Sequence, residues 1–418
     1  MRTDRSDKQR VVVTGMGAIT PLGLTVPELW DGLVNGRSGI APVTFFDAST
    51  FSSRISGEVK GFDPAAYMNR KGARRIARCS QLAIAALQEL RADAGLPSRF
   101  EDGVRVGVLL GSALGGFESG VNECITLRSS GWERVSPFLS IACLPNMPAH
   151  HVSMELGAKG PNSTVVTACA SGTQAIGEAS EVIRRGAADM MISGGVDALV
   201  CDFAQGAFCA MRVLSTRNEE PEKASRPFDK NRDGFILSEG CGLVVLESLD
   251  HARQRGARIY AEVLGQAASC DAYHVAAPDP GGEGASNAMR WAMQDAGISP
   301  DEVDYINAHG PGTPQGDSVE TLAIKNVLGQ RAYSVPVSST KSMIGHCMGG
   351  AGAIEAIACI STIHHGVIHP TINFETPDPA CDLDYVTEGA RKQEVRVVMS
   401  NSFGLGGQNA CLVLGRME

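Results

Sequence analysis

Apolar runs of strand length alternate with helix-length amphipathic stretches through the whole 418-residue chain, and this alternation limits the fold more than any other feature. The runs Arg10-Val-Val-Val-Thr14, Val104-Arg-Val-Gly-Val-Leu-Leu110 and Asp189-Met-Met-Ile-Ser193 are largely apolar on both faces of an extended chain. Strands of that kind need cover on both sides, which the intervening helices supply, so the expected class is α/β with buried sheets. A chain of this length forms two or three core-forming units or one large duplicated unit. No Pro-, Gly- or Ser-rich linker separates independent domains. The best break lies near Gly256, where Gly242-Leu-Val-Val-Leu-Glu247 and a polar stretch give way to Ile259-Tyr-Ala-Glu-Val-Leu-Gly265. The expected halves are residues 1–256 and 257–418. The 48 glycines exceed the average share of roughly 7%, so close backbone approaches and tight turns are expected.

Charge and targeting signals narrow the function. With 37 basic and 46 acidic residues the net charge is −9, which gives no broad attraction to nucleic acid or to an anionic membrane. The start, Met1–Arg10, is charged and lacks an apolar stretch of signal-peptide type, and no segment reaches about 18 uninterrupted apolar residues. A cytoplasmic protein is the expectation. The 12 cysteines are scattered without a CxxC pair, as in a reducing compartment, so neither a disulfide frame nor a zinc cage is expected.

Three motif-like strings read as structure. Gly15-Met-Gly17-Ala-Ile-Thr20 follows a strand, as a dinucleotide fingerprint does, but threonine takes the third glycine position and no clear acidic partner follows. Asp229-Lys-Asn231-Arg-Asp233-Gly234 copies half of a calcium loop, with Gly240 where the bidentate glutamate belongs, so a turn is the better reading. The pairs His150-His151 and His364-His365 lack other ligands at metal spacing and are expected to be surface or satisfied histidines. No metal and no redox cofactor is expected.

Four segments carry chemistry. In Ser163–Gly172 a strand over Thr164–Thr167 is followed by Ala175, Ile176, Ala179, Val182 and Ile183 at helical spacing, which places Cys169 at a strand-to-helix junction. A helix N-terminus favours thiolate, and the cysteine's own N–H can donate to an oxyanion, although the segment alone fits a buried structural cysteine equally well. In Val303–Gly310 a strand ends at His309, the end at which open α/β sheets gather function. Asp317 and Glu320 then stand at capping-box spacing before an expected helix Thr321–Leu328 closed by Gly329, and capping is the preferred reading of both acids. The third segment carries Lys341 and His346 and runs into a small-residue helix whose Glu355 needs a partner, with Lys341 the obvious one. The fourth, Met399–Asn409, is a glycine-rich turn containing Phe403 and Leu405.

Together these segments resemble the β-ketoacyl-acyl-carrier-protein synthases, most closely the synthase I/II condensing enzymes of type II fatty acid synthesis. The resemblance runs nearly end to end, through Val12-Val-Thr-Gly-Met-Gly17, Thr167-Ala-Cys169, Leu214-Ser-Thr-Arg-Asn218, Ser225–Phe235, Cys270-Asp-Ala-Tyr-His274, Asn307-Ala-His309-Gly310, Thr340–His346 and Asn401-Ser-Phe-Gly404. It implies a thiolase-like fold of two related α/β halves in a five-layer αβαβα arrangement, the first carrying the cysteine and the second both histidines. It implies an acyltransferase that condenses an acyl-enzyme thioester with malonyl-carrier, with loss of carbon dioxide, in fatty acid elongation. The implied partners are acyl carrier protein and a second subunit, in a homodimer or a heterodimer. By the same resemblance Cys169 is the acyl-accepting nucleophile, and His309 and His346 serve decarboxylation and condensation. Lys341 and Glu355 are their charged support. The backbone N–H groups of Cys169 and Leu405 form the oxyanion hole, and Thr313, Phe403 and Leu405 meet the substrate and its phosphopantetheine arm. The alternative is a ketosynthase of a polyketide or polyene pathway. A noncatalytic chain-length subunit fits less well, since such subunits usually lack the nucleophile. A degradative thiolase is disfavoured because Cys411 is followed by Leu412-Val413.

Two departures bear on specificity. Family members commonly carry threonine or serine where Pro311 and Gly312 stand, so one hydroxyl to the pantetheine arm is lost. The phenylalanine of the family's Gly-Phe-Gly-Gly loop, a gate to the acyl pocket, is Leu405 here. The smaller side chain implies a more permissive acyl step. Leu405→Phe is expected to narrow the range of chains accepted from carriers of graded acyl length, and identical profiles would count against the inference.

Overall fold

Ten strands in one mixed sheet carry the fold: β1 (Val11–Ile19), β2 (Val106–Gly111), β3 (Asn162–Val165), β4 (Met190–Ala198), β5 (Glu239–Ser248), β6 (Ala261–Cys270), β7 (Tyr305–Asn307), β8 (Val337–Ser338), β9 (Val397–Gly404) and β10 (Gln408–Gly415). They come from a computed structural model that describes residues 5–417; the first four residues of the charged start and Glu418 lie outside it. Across the sheet the order is β8-β7-β9-β10-β6-β1-β5-β4-β2-β3. The first five strands and the last five trace the same path. In each set the second strand pairs in parallel with the third and fourth, and the fifth pairs antiparallel with the fourth and the first. A short antiparallel contact of Val11–Val13 with Ala261–Val263 joins the two sets.

Among the described residues eight helices reach ten residues or more: α1 (Arg78–Asp93), α2 (Phe117–Ser130), α3 (Met147–Leu156), α4 (Ser171–Arg184), α5 (Asp202–Met211), α6 (Glu283–Ala296), α7 (Pro314–Leu328) and α8 (Ala351–His365). Helix α1 packs on β1, β4, β5 and α3, while α6 packs on β6, β10 and α7. Between the two strand sets lie α4 and α8, each touching strands of both sets and each other. The result is the five-layer α/β, thiolase-like arrangement whose three largest apolar cores are one central and one under each outer helix layer. A helix in the middle layer has no water-facing side, which is why α8 is buried from Ala351 to Ile363 and reads as apolar all round.

The motif-like strings resolve as structure. Beyond Val13 the strand β1 parts from β6, and the N–H groups of Met16 and Ala18 donate instead to Asp93 and Glu89 of α1, both at 2.9 Å. That close helix contact explains Gly17, where a Cβ would stand 2.2 Å from the carbonyl of Ala86. Asp229 accepts N–H bonds from Asn231, Glu375 and Thr376, the bonding of a turn that ties two loops together. His365 stacks on Trp30, with ring centres 5.3 Å apart, and His364 lies beside Tyr260. Among the described residues no helix is long and apolar enough to cross a membrane.

Candidate active site

Cys169 is presented by a strained corner. After β3, Ala168 takes φ 49°, and one 3-10 turn over Ala168–Ala170 leads into α4. Ser171 holds the corner: its hydroxyl accepts the N–H of Thr167 at 2.9 Å and donates to the carbonyl of Ala168 at 2.7 Å. The junction predicted from sequence is therefore present, but the protonation state differs from the expected thiolate. Burial pushes the Cys169 thiol up to about 11, and N–H donors from Leu405 and Cys169 itself, with the charge of Lys341, offset only part of that. Desolvation outweighs the helix end, so the sulfur holds its proton at rest.

The second half supplies the imidazoles. His309 follows β7, its N–H donating to Glu320 at 2.9 Å and its carbonyl accepting from Lys341 Nζ at 2.7 Å. His346 is fixed by its backbone, donating to Ile236 at 2.8 Å and accepting from Ser238 at 3.1 Å. The two rings stand 5.3 Å apart at 80°. Cys169 Sγ and one nitrogen of each ring lie within 4.8 Å of one another, the one group among the described residues that a metal ion could use. His346 Nδ1 and Nε2 and His309 Nδ1 are buried and have no hydrogen-bond partner among the described residues, which leaves them open to a substrate. Burial, then the charge of Lys341, holds both imidazoles well below the ordinary histidine range. Both are neutral, each with one N–H to donate. Lys341 pairs with Glu355 of α8, and neither side chain reaches solvent.

Asp317 and Glu320 are not caps, contrary to the sequence expectation. Helix α7 begins earlier, at Pro314, with Thr313 as its N-cap, so both acids fall inside it. Glu320 accepts the N–H groups of His309 and Gly310, and Asp317 those of Phe228 and Gly312. They fasten the histidine loop from beneath, and burial raises them to about 7 and about 6. The signal was in the spacing: Asp317, Glu320, Thr321, Ile324 and Leu328 share one helix face, and that face is buried.

A cavity of about 470 Å³ contains Cys169, His309 and His346, and its wall includes Pro311, Thr313, Phe403 and Leu405. Thr313 Oγ1 accepts the N–H of Gly316 at 3.2 Å, so its hydroxyl proton remains available to a ligand. Phe403 lies 6.2 Å from the His309 ring. Leu405 packs in an apolar cluster with Cys169, Phe208 and Met348. All the residues singled out from sequence are thus brought to one cleft or to its immediate support.

Known proteins share this chain's sequence and shape. Residues 8–252 match the beta-ketoacyl synthase N-terminal domain family, and residues 260–375 match its C-terminal domain family. A Synechocystis protein named 3-oxoacyl-[acyl-carrier-protein] synthase 2 is 47% identical over 412 residues, covering 99% of each chain. A Coxiella burnetii protein of the same name is 46% identical over 98% of this chain and 99% of its own. Among solved structures, a type II polyketide ketosynthase in complex with its acyl-carrier protein aligns with a TM-score of 0.90 at 36% identity, over 98% of this chain and 99% of that one. The ishigamide ketosynthase/chain length factor aligns at 0.91 and 38% identity, over the same shares.

Because Lys341 and Glu355 are buried together, removing one leaves the other uncompensated. Glu355→Leu is expected to lower unfolding free energy by about 3–5 kcal/mol, measured by denaturant titration. Adding Lys341→Met should recover most of that loss. A double variant as unstable as the single one would show that the stranded charge is not its cause.

Proposed function

The chain belongs to the β-ketoacyl synthase family, and from that premise we propose a course of reaction built on Cys169, His309 and His346. Its activity is that of a β-ketoacyl-acyl-carrier-protein synthase, an acyltransferase of fatty acid chain elongation. Identity of 46–47% to relatives of that name, against 36% to the type II polyketide ketosynthase, favours elongation over polyketide assembly.

In the first half-reaction an acyl-carrier thioester enters with its pantetheine arm against Thr313. Cys169 Sγ attacks the carbonyl carbon and gives its proton to a free ring nitrogen of His346. The N–H groups of Cys169 and Leu405 hold the tetrahedral oxyanion. Collapse breaks the carrier's C–S bond, and the departing sulfur takes the proton back from the imidazole. Malonyl-carrier then replaces the first carrier and loses carbon dioxide. The electron pair of the broken C–C bond passes into an enolate, whose oxygen accepts N–H bonds from His309 and His346. The carbanion carbon attacks the acyl-Cys169 carbonyl, the new C–C bond forms, the C–S bond breaks, and Cys169 leaves as thiolate and takes one proton from solvent. Both imidazoles must be neutral to donate in this way, which is the state that burial and Lys341 impose. Removal of one such donor costs about a hundredfold in rate.

The observation that carries this reading is the meeting of one sulfur and two neutral imidazoles within 4.8 Å inside one cleft. The thioester itself supplies the activation, so the course uses no metal or redox cofactor. Acyl carrier protein is the proposed partner and the cytoplasm the proposed location. A homodimer is proposed through the exposed edge strand β3, beside which Val166 stands half in solvent. Cys169→Gln is expected to abolish condensation while malonyl-carrier decarboxylation continues, and wild type incubated with acyl-carrier should gain an acyl mass on the Cys169 peptide. Condensation by the Gln variant would overturn the assignment.

A further inference from the structure

Asp197, one residue from the end of β4, is a fully buried acid that the reaction above does not use. Its Oδ2 accepts the N–H groups of Ala113 and Gly349, both at 2.7 Å. Its Oδ1 accepts the Ser112 hydroxyl at 2.8 Å and the N–H of Leu114 at 3.3 Å. Ser112–Leu114 is the exit of β2 in the first half, whereas Gly349 belongs to the turn Met348–Gly350 that joins His346 to α8. Met348 is held at φ 49°, a left-handed conformation unfavourable for a side chain of its size. The next N–H along the chain is the one that Asp197 takes. On its other side the Gly349 carbonyl is wedged where a Cβ on Gly172 or Gly195 would come within 2.6 or 2.3 Å. Two of the three peptides gripped by Asp197 adjoin the nucleophile, because Ala113 and Met348 pack in one apolar cluster with Cys169 and Leu405.

We propose that Asp197 is a positioning residue for Cys169 and His346, fastening the turn behind His346 to the exit of β2 and placing its carboxylate behind the cluster that holds the sulfur. The proposal rests on Cys169 as the nucleophile. The charged and titratable groups around the sulfur are Lys341, His309, His346 and Asp197; Asp197 itself faces Cys169 and, from α1, Cys79, which burial keeps protonated. Lys341 favours the thiolate; Asp197, which burial raises to about 6 and which is therefore ionised above that pH, opposes it. A thiol held protonated at rest becomes the stronger nucleophile once its proton is removed, since nucleophilicity rises with basicity.

The test is Asp197→Asn in the full-length enzyme. The carboxamide oxygen can keep the Ala113 and Gly349 bonds while the NH₂ turns to Ser112, so the turn behind His346 stays tied while the charge and the longer Leu114 bond are lost. The alkylation rate of Cys169 by iodoacetamide is read from its own peptide by mass spectrometry across pH, together with kcat and KM. The alkylation midpoint is expected to fall by about one pH unit, which gives roughly tenfold more thiolate at fixed pH and, because each thiolate is about threefold less nucleophilic, a net reaction about threefold faster, with kcat lowered and KM for acyl-carrier little changed. Asp197→Glu keeps the charge and is expected to keep the midpoint while losing kcat. A purely structural role would lower kcat in both variants and leave both midpoints at the wild-type value, and that result overturns the proposal. Should the Asn variant not fold, Ser112→Ala replaces it: the carboxylate loses one donor, the midpoint is expected to rise, and an unmoved midpoint refutes the charge effect. Alkylation reads the sulfur and not condensation, so a shifted midpoint without any acyl adduct on wild-type Cys169 would sink the functional reading and leave the role of Asp197 standing.

Discussion

A buried ammonium organises this site. Lys341 has no exposed surface, and its Nζ is satisfied by the carbonyl of His309 and the carboxylate of Glu355. An unpaired charge in that position would be prohibitive, so the loop of His309, the turn Lys341–Ile344 and the central helix α8 are bound to one another by a shared requirement. The same positive charge opposes protonation of His309 and His346, which fixes them as neutral donors. It also favours charge on the sulfur, although burial outweighs it. Nucleophile and donors are therefore all uncharged at rest, and negative charge appears where N–H groups already point.

Duplication explains how residues so far apart in sequence meet. The central helices α4 and α8 begin alike, each after a 3-10 turn whose first residue, Ala168 or Met348, has φ 49°. The second residue of that turn is Cys169 in one half and Gly349 in the other. One copy of the corner presents a thiol, and the equivalent copy gives up its side chain so that its carbonyl can fit against Gly172 and Gly195. The strain at both corners is offset by hydrogen bonds, local ones from Ser171 in the first and a long-range one from Asp197 in the second.

Much of this was legible in the sequence because it depends on local order. A strand pattern ending at His309, a strand-to-helix change at Cys169, and a lone Glu355 in a small-residue helix each carry their meaning in a few adjacent residues. What local order does not carry is burial depth. The helix end at Cys169 argued for a thiolate, and desolvation reverses it. Asp317 and Glu320 looked like caps because the helix start was placed at Thr321; Pro314, tolerated in a first turn, moves the start seven residues earlier and turns both acids inward. Asp197 gave no signal at all within its strand, since its four donors come from Ser112–Leu114 and Gly349, distant segments that only the fold brings to it.

The central claim is that two buried, neutral imidazoles face one thiol. Nitrogen-15 NMR of histidine-labelled enzyme tests it most directly, with His309→Asn and His346→Asn assigning two of the nine histidines. Between about pH 8 and about pH 5 both rings are expected to keep one protonated and one bare nitrogen, although an ordinary histidine would titrate within that range. An imidazolium signal from either ring at neutral pH would contradict the account.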